Sequence, residues 1–267
     1  MGSTEKKQIY IVIPAYNEEK NISQVLESLL KFDYHLVVVD DGSFDKTYEK
    51  AKKTFACAGL LTANLSSVLN KEPNKQSRDV KILRHKINRG QGAALQTGTD
   101  YAIKNKADII VHFDGDGQFL PSEIQQVVEP ILSKKADIVL GSRFLTNKKN
   151  NKAPICCQAK IRTNNKMPFL KRYAILPVAK IVNWLLTGIK LTDAHCGFRA
   201  MNKLAAGKIR INQDRMSHNT EIVAQIKKHG LKYEEVPVTV IYNEFGQGIG
   251  GGFKILKDWF FSKLIKN

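Results

Sequence analysis

Short runs of β-branched and other apolar residues alternate with amphipathic segments through the first half of the chain. Five such runs predict buried strands, at residues 9–13, 36–39, 80–83, 109–113 and 138–140. Between them, helical periodicity or helix-start signals predict four helices, over 18–30, 45–55, 91–104 and 121–132. This alternation indicates βαβ units, so we expect an α/β, Rossmann-like fold with a mostly parallel central sheet and helices on both faces.

The second half of the chain has a different pattern. A helix is predicted over 219–229, a strand over 236–242 and an amphipathic C-terminal helix over 253–265. The most apolar stretch, 173–189, is interrupted by Pro177 and Lys180 and is shorter than a membrane span requires. A transmembrane helix is therefore not expected in this sequence.

The positive charge is concentrated in one segment. The chain has 42 Lys and Arg against 25 Asp and Glu, a net charge of +17. Residues 138–192 carry eleven of the cations and no acidic residue. A uniformly lysine-rich composition does not sort charge in this way, so we expect an anionic partner. Basic residues beside the apolar stretch favour an anionic membrane surface.

Composition excludes several classes of protein and of compartment. The 43% apolar and 25% charged content is that of a globular chain, which argues against disorder. Four cysteines without CxxC spacing and an N-terminus without a secretory pattern indicate a reducing, cytoplasmic compartment. No helix-turn-helix, zinc-finger or RNA-binding signature accompanies the charge, which disfavours a nucleic-acid partner.

Polar clusters follow four successive predicted strands, at 14–19, 40–43, 88–94 and 114–118. Ligands in open α/β sheets bind beyond the carboxyl ends of the strands, so we expect these clusters to lie together. Taken singly, the clusters also fit helix caps, Asp-Gly turns or a glycine-rich helix start. The fourth, Asp-Gly-Asp-Gly-Gln, is the most informative, because carboxylates two residues apart suit a hard divalent cation that bridges to substrate phosphates.

The ordered set of motifs resembles glycosyltransferase family 2, nucleotide-sugar-dependent enzymes with the GT-A fold. The matching segments are IPAYNEE, VVDDGS, NRGQGAAL and DGDGQ, at 13–19, 38–43, 88–95 and 114–118. Two later segments, Gly-Ser-Arg at 141–143 and Thr-Asp-Ala-His-Cys-Gly-Phe-Arg at 192–199, look like elements of the polyprenyl-phosphate (dolichyl-phosphate) sugar transferase branch.

The resemblance implies a role for each matching residue. It implies that the nucleotide-sugar donor is bound by Pro14, Tyr16, Glu18, Asp41, Arg89 and Asp114. It implies that Mg²⁺ or Mn²⁺ is held by Asp114, Asp116 and Gln118. It implies that the catalytic set near the transferred sugar, its phosphates or the acceptor includes Asp193, Arg143 and Glu221.

These expectations combine into one hypothesis about the whole chain. A single GT-A domain spans 1–267, with a nucleotide-sugar half at 8–143, a basic acceptor- and membrane-facing segment at 144–192, and an acceptor half at 193–267. The expected reaction is inverting, metal-dependent transfer of a sugar, with UDP-glucose or GDP-mannose as donor, to a polyprenyl phosphate in glycan biosynthesis at the cell envelope. The enzyme is expected to be peripheral on the cytoplasmic face of the membrane, and a membrane-protein partner stays open.

Two departures and two alternatives accompany this hypothesis. Gln91 stands where the family frequently has a lysine, and no QxxRW element of polymer synthases is present. The first alternative keeps the fold and transfers sugar to a glycan, glycolipid or protein. The second, a basic nucleic-acid-binding protein, would explain the charge without catalysis.

Overall fold

The computed structural model describes residues 6–59, 78–145, 188–193, 195–213 and 218–241. Seven strands run in chain order: β1 (Ile9–Ala15), β2 (His35–Asp40), β3 (Val80–Arg84), β4 (Ile109–His112), β5 (Ile138–Ser142), β6 (Arg199–Asn202) and β7 (Tyr233–Pro237). Within these described residues, six helices accompany them: α1 (Ile22–Leu29), α2 (Thr47–Cys57), α3 (Gln91–Lys104), α4 (Ile124–Leu132), α5 (Lys203–Lys208) and α6 (His218–Lys228). A 3₁₀ turn, Pro121–Glu123, leads into α4.

All seven strands form one sheet in the order β3-β2-β1-β4-β6-β5-β7. The central strands pair in parallel, with Tyr10 opposite His35 and Val12 opposite His112. Only β6 runs against the others, between β4 and β5, so that Arg199 lies opposite both His112 and Leu140. The amino end of β6 therefore lies at the edge of the sheet where the parallel strands have their carboxyl ends.

Two apolar cores cover the two faces of the sheet. Residues of β1 alternate between them: Ile11 and Ile13 pack on one side, Tyr10 and Val12 on the other. Helices α1, α2 and α4 cover the first face, and α3, α5 and α6 cover the second. Strands buried on both faces read as continuous apolar runs, which explains why the sequence pattern predicts them well.

Several predicted boundaries are wrong. The helix expected over 18–30 begins only at Ile22, because Asn17 adopts φ = 55° and residues 18–21 form turns. The strand expected over 236–242 is displaced toward the N-terminus and occupies Tyr233–Pro237. Strand β6 and helix α5 were not predicted. The C-terminal helix over 253–265 and most of the basic segment, 146–187, lie outside the described residues.

Candidate active site

Four loops meet at the carboxyl edge of the sheet. Strands β1, β2 and β4 are neighbours and parallel, so the loops that follow them at 16–19, 41–46 and 113–118 emerge side by side. The loop after β3 joins them through hydrogen bonds to Asp41. The expectation that the polar clusters lie together is confirmed.

The Asp-Gly-Asp-Gly-Gln loop places two acidic side chains at this edge. Asp114 Oδ1 accepts a hydrogen bond from Gln91 Nε2 at 2.8 Å, at the first position of α3. Asp116 Oδ1 accepts the backbone N–H of Gln118 at 3.0 Å, which closes the turn. Gln91, the position at which the chain departs from the pattern it resembles, thus contacts a candidate metal ligand directly.

Gly197 allows the Asp114 carboxylate to lie against the amino end of β6. A Cβ atom at position 197 would collide with that carboxylate. Beneath it, Arg199 is fully buried and donates to the carbonyl oxygens of Cys196 and Gly197 and to Asn219 Oδ1. The antiparallel β6 therefore places the backbone of Gly197 against the acidic loop and the buried positive charge of Arg199 beneath it.

Burial and the charge of Asp116 disfavour the ionised forms of Asp114 and Glu18. Burial, the neighbouring charge of Asp116 and, more weakly, Glu18 raise the pKa of Asp114 to about 7, although Arg199 and the Gln91 hydrogen bond oppose the shift. Burial also raises the pKa of Asp116. Burial and the charges of Asp116 and Asp45 raise the pKa of Glu18, against a hydrogen bond from Asn21. A cation bound here would relieve this repulsion.

The donor chemistry fits a divalent cation. Two carboxylates and the amide of Gln118 are hard oxygen ligands of the kind that Mg²⁺ and Mn²⁺ take. Within the described residues, no group of three or more His, Cys, Asp or Glu side chains is arranged to hold a metal ion.

The Asp41 carboxylate is engaged by the loop after β3. Its two oxygens accept the backbone N–H groups of Arg89 at 3.0 Å and Gly90 at 2.6 Å, and His85 Nδ1 lies 2.6 Å from Oδ1. Gly42, at φ = 70°, leaves no room for a Cβ against the backbone of that loop. Asp41 therefore fixes the loop after β3, which forms one wall of the site.

The loop after β1 presents an aromatic and an acidic side chain. Pro14 is the sixth residue of β1, and Tyr16 just beyond it is 39% exposed and meets the exposed Phe44 ring edge-on at 6.5 Å. Glu18 accepts Asn21 Nδ2 at 2.8 Å while its own backbone N–H donates to Thr47 Oγ1. These side chains are positioned by turns rather than by a helix.

Arg143 and Asp193 form a second charged pair at the same edge. Arg143 Nε donates to Asp193 Oδ2 at 2.6 Å and Nη2 donates to Oδ1 at 2.9 Å, a two-point contact. Burial would raise the pKa of Asp193, but the hydrogen bonds and charge of Arg143 outweigh it and lower that pKa. Asp193 is thus a fixed anion that orients Arg143.

Two glutamates hold loops through backbone N–H groups. Glu221 accepts the N–H groups of Asn212 and Gln213 at 3.0 and 2.9 Å, so its carboxylate is used in positioning that loop. Glu235, on β7, accepts the N–H groups of Thr192 and Asp193. Sequence reasoning missed Glu235, and the only signal for it was an acidic pair directly before the apolar run of the last strand.

The sheet order, the acidic pair after β4 and the charged pair after β5 define a GT-A glycosyltransferase. The sequence profile of Glycosyl transferase family 2 matches residues 10–210, and the chain belongs to this family. An uncharacterised protein of Methanocaldococcus jannaschii is 35% identical over 273 residues, covering 99% of this chain and 96% of the relative.

A second relative and a solved structure extend the comparison. The UDP-N-acetylglucosamine–dolichyl-phosphate N-acetylglucosaminyltransferase of Methanococcus voltae is 34% identical over 256 residues, covering 93% of each chain. The crystal structure of Mycobacterium tuberculosis glucosyl-3-phosphoglycerate synthase with Mn²⁺ and UDP-glucose aligns with a TM-score of 0.62 at 15% identity, covering 95% of this chain and 77% of that one. At this identity the likeness supports the fold alone.

Among the described residues, every helix is too short or too polar to span a lipid bilayer.

Proposed function

We propose that this glycosyltransferase moves a sugar from a nucleotide-sugar to a polyprenyl phosphate, with inversion at the anomeric carbon and with Mg²⁺ or Mn²⁺ bound. The observation that carries the proposal is the pairing of two charged centres at one sheet edge. Asp114 and Asp116 follow β4, Arg143 follows β5, and only β6 separates these strands. Two strand spacings amount to about 10 Å, so the carboxylates of the acidic centre and the guanidinium of Arg143 lie on the two sides of one gap.

The acidic centre suits the donor diphosphate. Asp114, Asp116 and Gln118 would hold the cation between the protein and the diphosphate. When bound, the cation stabilises the negative charge of the departing nucleoside diphosphate. Gln91 keeps one oxygen of Asp114 engaged at 2.8 Å and thereby orients the other. Tyr16, Glu18 and the wall fixed by Asp41 would bind the nucleoside.

The guanidinium of Arg143 suits a phosphate acceptor. A guanidinium is a planar fork of N–H donors that matches phosphate oxygens, and the two-point carboxylate contact fixes its orientation. In the reaction, a phosphate oxygen of the acceptor attacks the anomeric carbon while the bond from that carbon to the diphosphate oxygen breaks. The electron pair of that bond leaves with the nucleoside diphosphate.

The engagement of the carboxylates also favours a phosphate acceptor over a hydroxyl. Asp193 is held in its ionised form by Arg143, and Glu221 accepts two backbone N–H groups. A hydroxyl nucleophile needs a base within hydrogen-bond reach. A phosphate monoester carries a charge of about −1.5 to −2 at pH 7 and needs none.

The name of the Methanococcus voltae relative supports the acceptor class and adds a donor. That enzyme is named for UDP-N-acetylglucosamine and dolichyl phosphate. We therefore place UDP-N-acetylglucosamine beside UDP-glucose and GDP-mannose as candidate donors. The basic segment over 144–192 supports attachment to the cytoplasmic face of an anionic membrane, alone or with a membrane-protein partner.

The test is the rate of nucleoside diphosphate release from each donor in turn. Each is measured with polyprenyl phosphate, with its dephosphorylated alcohol and with soluble sugar acceptors, at fixed Mn²⁺ or Mg²⁺. We expect release with at least one donor to depend on polyprenyl phosphate and to cease with the alcohol. Equal rates with soluble acceptors and without lipid would overturn the proposed acceptor.

A further inference from the structure

Glu235 holds the segment that precedes Asp193 by several hydrogen bonds at once. Its oxygens accept the backbone N–H of Thr192 at 2.9 Å, the Thr192 hydroxyl at 2.8 Å and the backbone N–H of Asp193 at 3.2 Å. The partners lie more than forty residues away in sequence. Three donors converging on one carboxylate require an acceptor with several lone pairs, which an ionised carboxylate supplies.

The same contacts continue to Arg143. Thr192 Oγ1 lies 2.6 Å from Ser142 Oγ, and the Asp193 carboxylate holds Arg143 through Nε, Nη2 and the backbone N–H. Strand β7 pairs with β5 in register, with Glu235 opposite Leu140. Glu235 therefore fixes the backbone of Thr192 and Asp193, and the Asp193 side chain in turn holds the guanidinium at the sheet edge.

We propose that Glu235 is a positioning residue for Arg143: through Thr192 and Asp193 it fixes the guanidinium that receives the acceptor phosphate. The phosphate-binding part of this inference rests on the proposed function. The neighbouring Glu234 is exposed on the same strand and supplies a matched control, since the same charge is removed without touching the Thr192–Asp193 segment.

The first readout needs no substrate. The side chain of Arg143 is 27% exposed, whereas that of its partner Asp193 is 3% exposed. The rate at which an arginine reagent modifies Arg143 should therefore rise when the contact with Asp193 loosens. Phenylglyoxal labelling of Arg143 is followed by peptide mass spectrometry in wild type, Glu235→Gln, Thr192→Val and Glu234→Gln. We expect about tenfold faster labelling in Glu235→Gln, a smaller increase in Thr192→Val and no change in Glu234→Gln.

The second readout separates acceptor from donor. We expect Glu235→Gln to raise the KM for polyprenyl phosphate about tenfold while leaving the donor KM unchanged. In an Arg143→Ala background, the same change should have no further effect on the acceptor KM, because its route to the substrate is gone.

The outcomes are separable. A wild-type rate of Arg143 labelling in a folded Glu235→Gln variant would overturn the positioning role. If Glu235→Gln does not fold, a wild-type labelling rate in Thr192→Val would overturn it instead. A full effect of Glu235→Gln without Arg143 would also overturn it. If wild type transfers no sugar to polyprenyl phosphate, the proposed function fails, while the labelling experiment still decides the role of Glu235.

Discussion

Replacing Gly197 by alanine tests the acidic centre with a single methyl group. An ideal Cβ at 197 would lie 3.1 Å from Asp114 Cγ and 3.2 Å from Oδ1, and closer still to Oδ2, where ordinary contacts are 3.4–4 Å. The nearest carboxylate oxygen, Oδ2, must therefore move by about 1 Å to restore van der Waals distances. Metal–ligand distances tolerate about 0.2 Å.

The expected consequence is a loss of cation affinity with the fold retained. Changes that displace a metal ligand through its surroundings typically cost about 10- to 100-fold in affinity, and we expect a loss of that size for Gly197→Ala. Mn²⁺ binding is measured by isothermal titration calorimetry in the presence of the nucleoside diphosphate. Gly207 supplies the control, because a Cβ there meets nothing within 4 Å and alanine favours a helix.

The reasoning is refuted by wild-type Mn²⁺ affinity in a Gly197→Ala variant that unfolds at the wild-type temperature. Weakened binding in Gly207→Ala of equal size would show a general effect of added methyl groups rather than contact with Asp114.

Four further predictions follow from the site and the charge. Asp116→Ala should abolish transfer while the protein stays folded, because the side chain is partly exposed and not part of either core; full activity in chelator-treated variant would exclude a metal role for Asp116. Asp41→Asn should raise the donor KM more than it lowers kcat, because Asp41 fixes the nucleoside wall rather than the reacting atoms, and an unchanged donor KM counts against this. The lowered pKa of Asp193 adds stability above the ordinary aspartate value of about 3.9 that is lost as the pH falls through the lower folded-state value; urea unfolding from pH 6 to pH 2 should therefore show a shallower pH dependence in Asp193→Asn, and identical slopes would contradict it. Binding to anionic liposomes should weaken with added salt, and also when Lys148, Lys149 and Lys152 of the basic segment are changed together to glutamate. Equal binding to neutral liposomes would contradict this prediction.

The fold was predictable where burial leaves a strong pattern. Strands β1, β2 and β4 each contain a continuous apolar run because both of their faces are covered, and their loops meet because the strands are parallel. Strand β6 was not predictable in the same way. Its sequence, Arg-Ala-Met-Asn, has no β-branched residue, and its first side chain is a buried arginine held by carbonyl oxygens rather than by an apolar core.

The site was predictable as a set of loops but not as a network. Motifs at strand ends brought Asp114, Asp116 and Arg143 to one edge. The contacts of Asp41 with the backbone of residues 89–90 depend on where another loop folds, which a strand-end motif does not reveal. Glu235 holds Thr192 across about forty residues of sequence, so its role becomes visible only when β7 is paired with β5.

The most direct measurement of the proposed function is the structure of the product. Enzyme, Mn²⁺, an α-linked nucleotide-sugar and polyprenyl phosphate are incubated, and the lipid fraction is analysed by mass spectrometry and NMR. The predicted result is a polyprenyl phosphate carrying one sugar in a β-linkage to phosphate. A product in which the lipid phosphate is unmodified, or one in which the sugar retains the α configuration, would contradict the account.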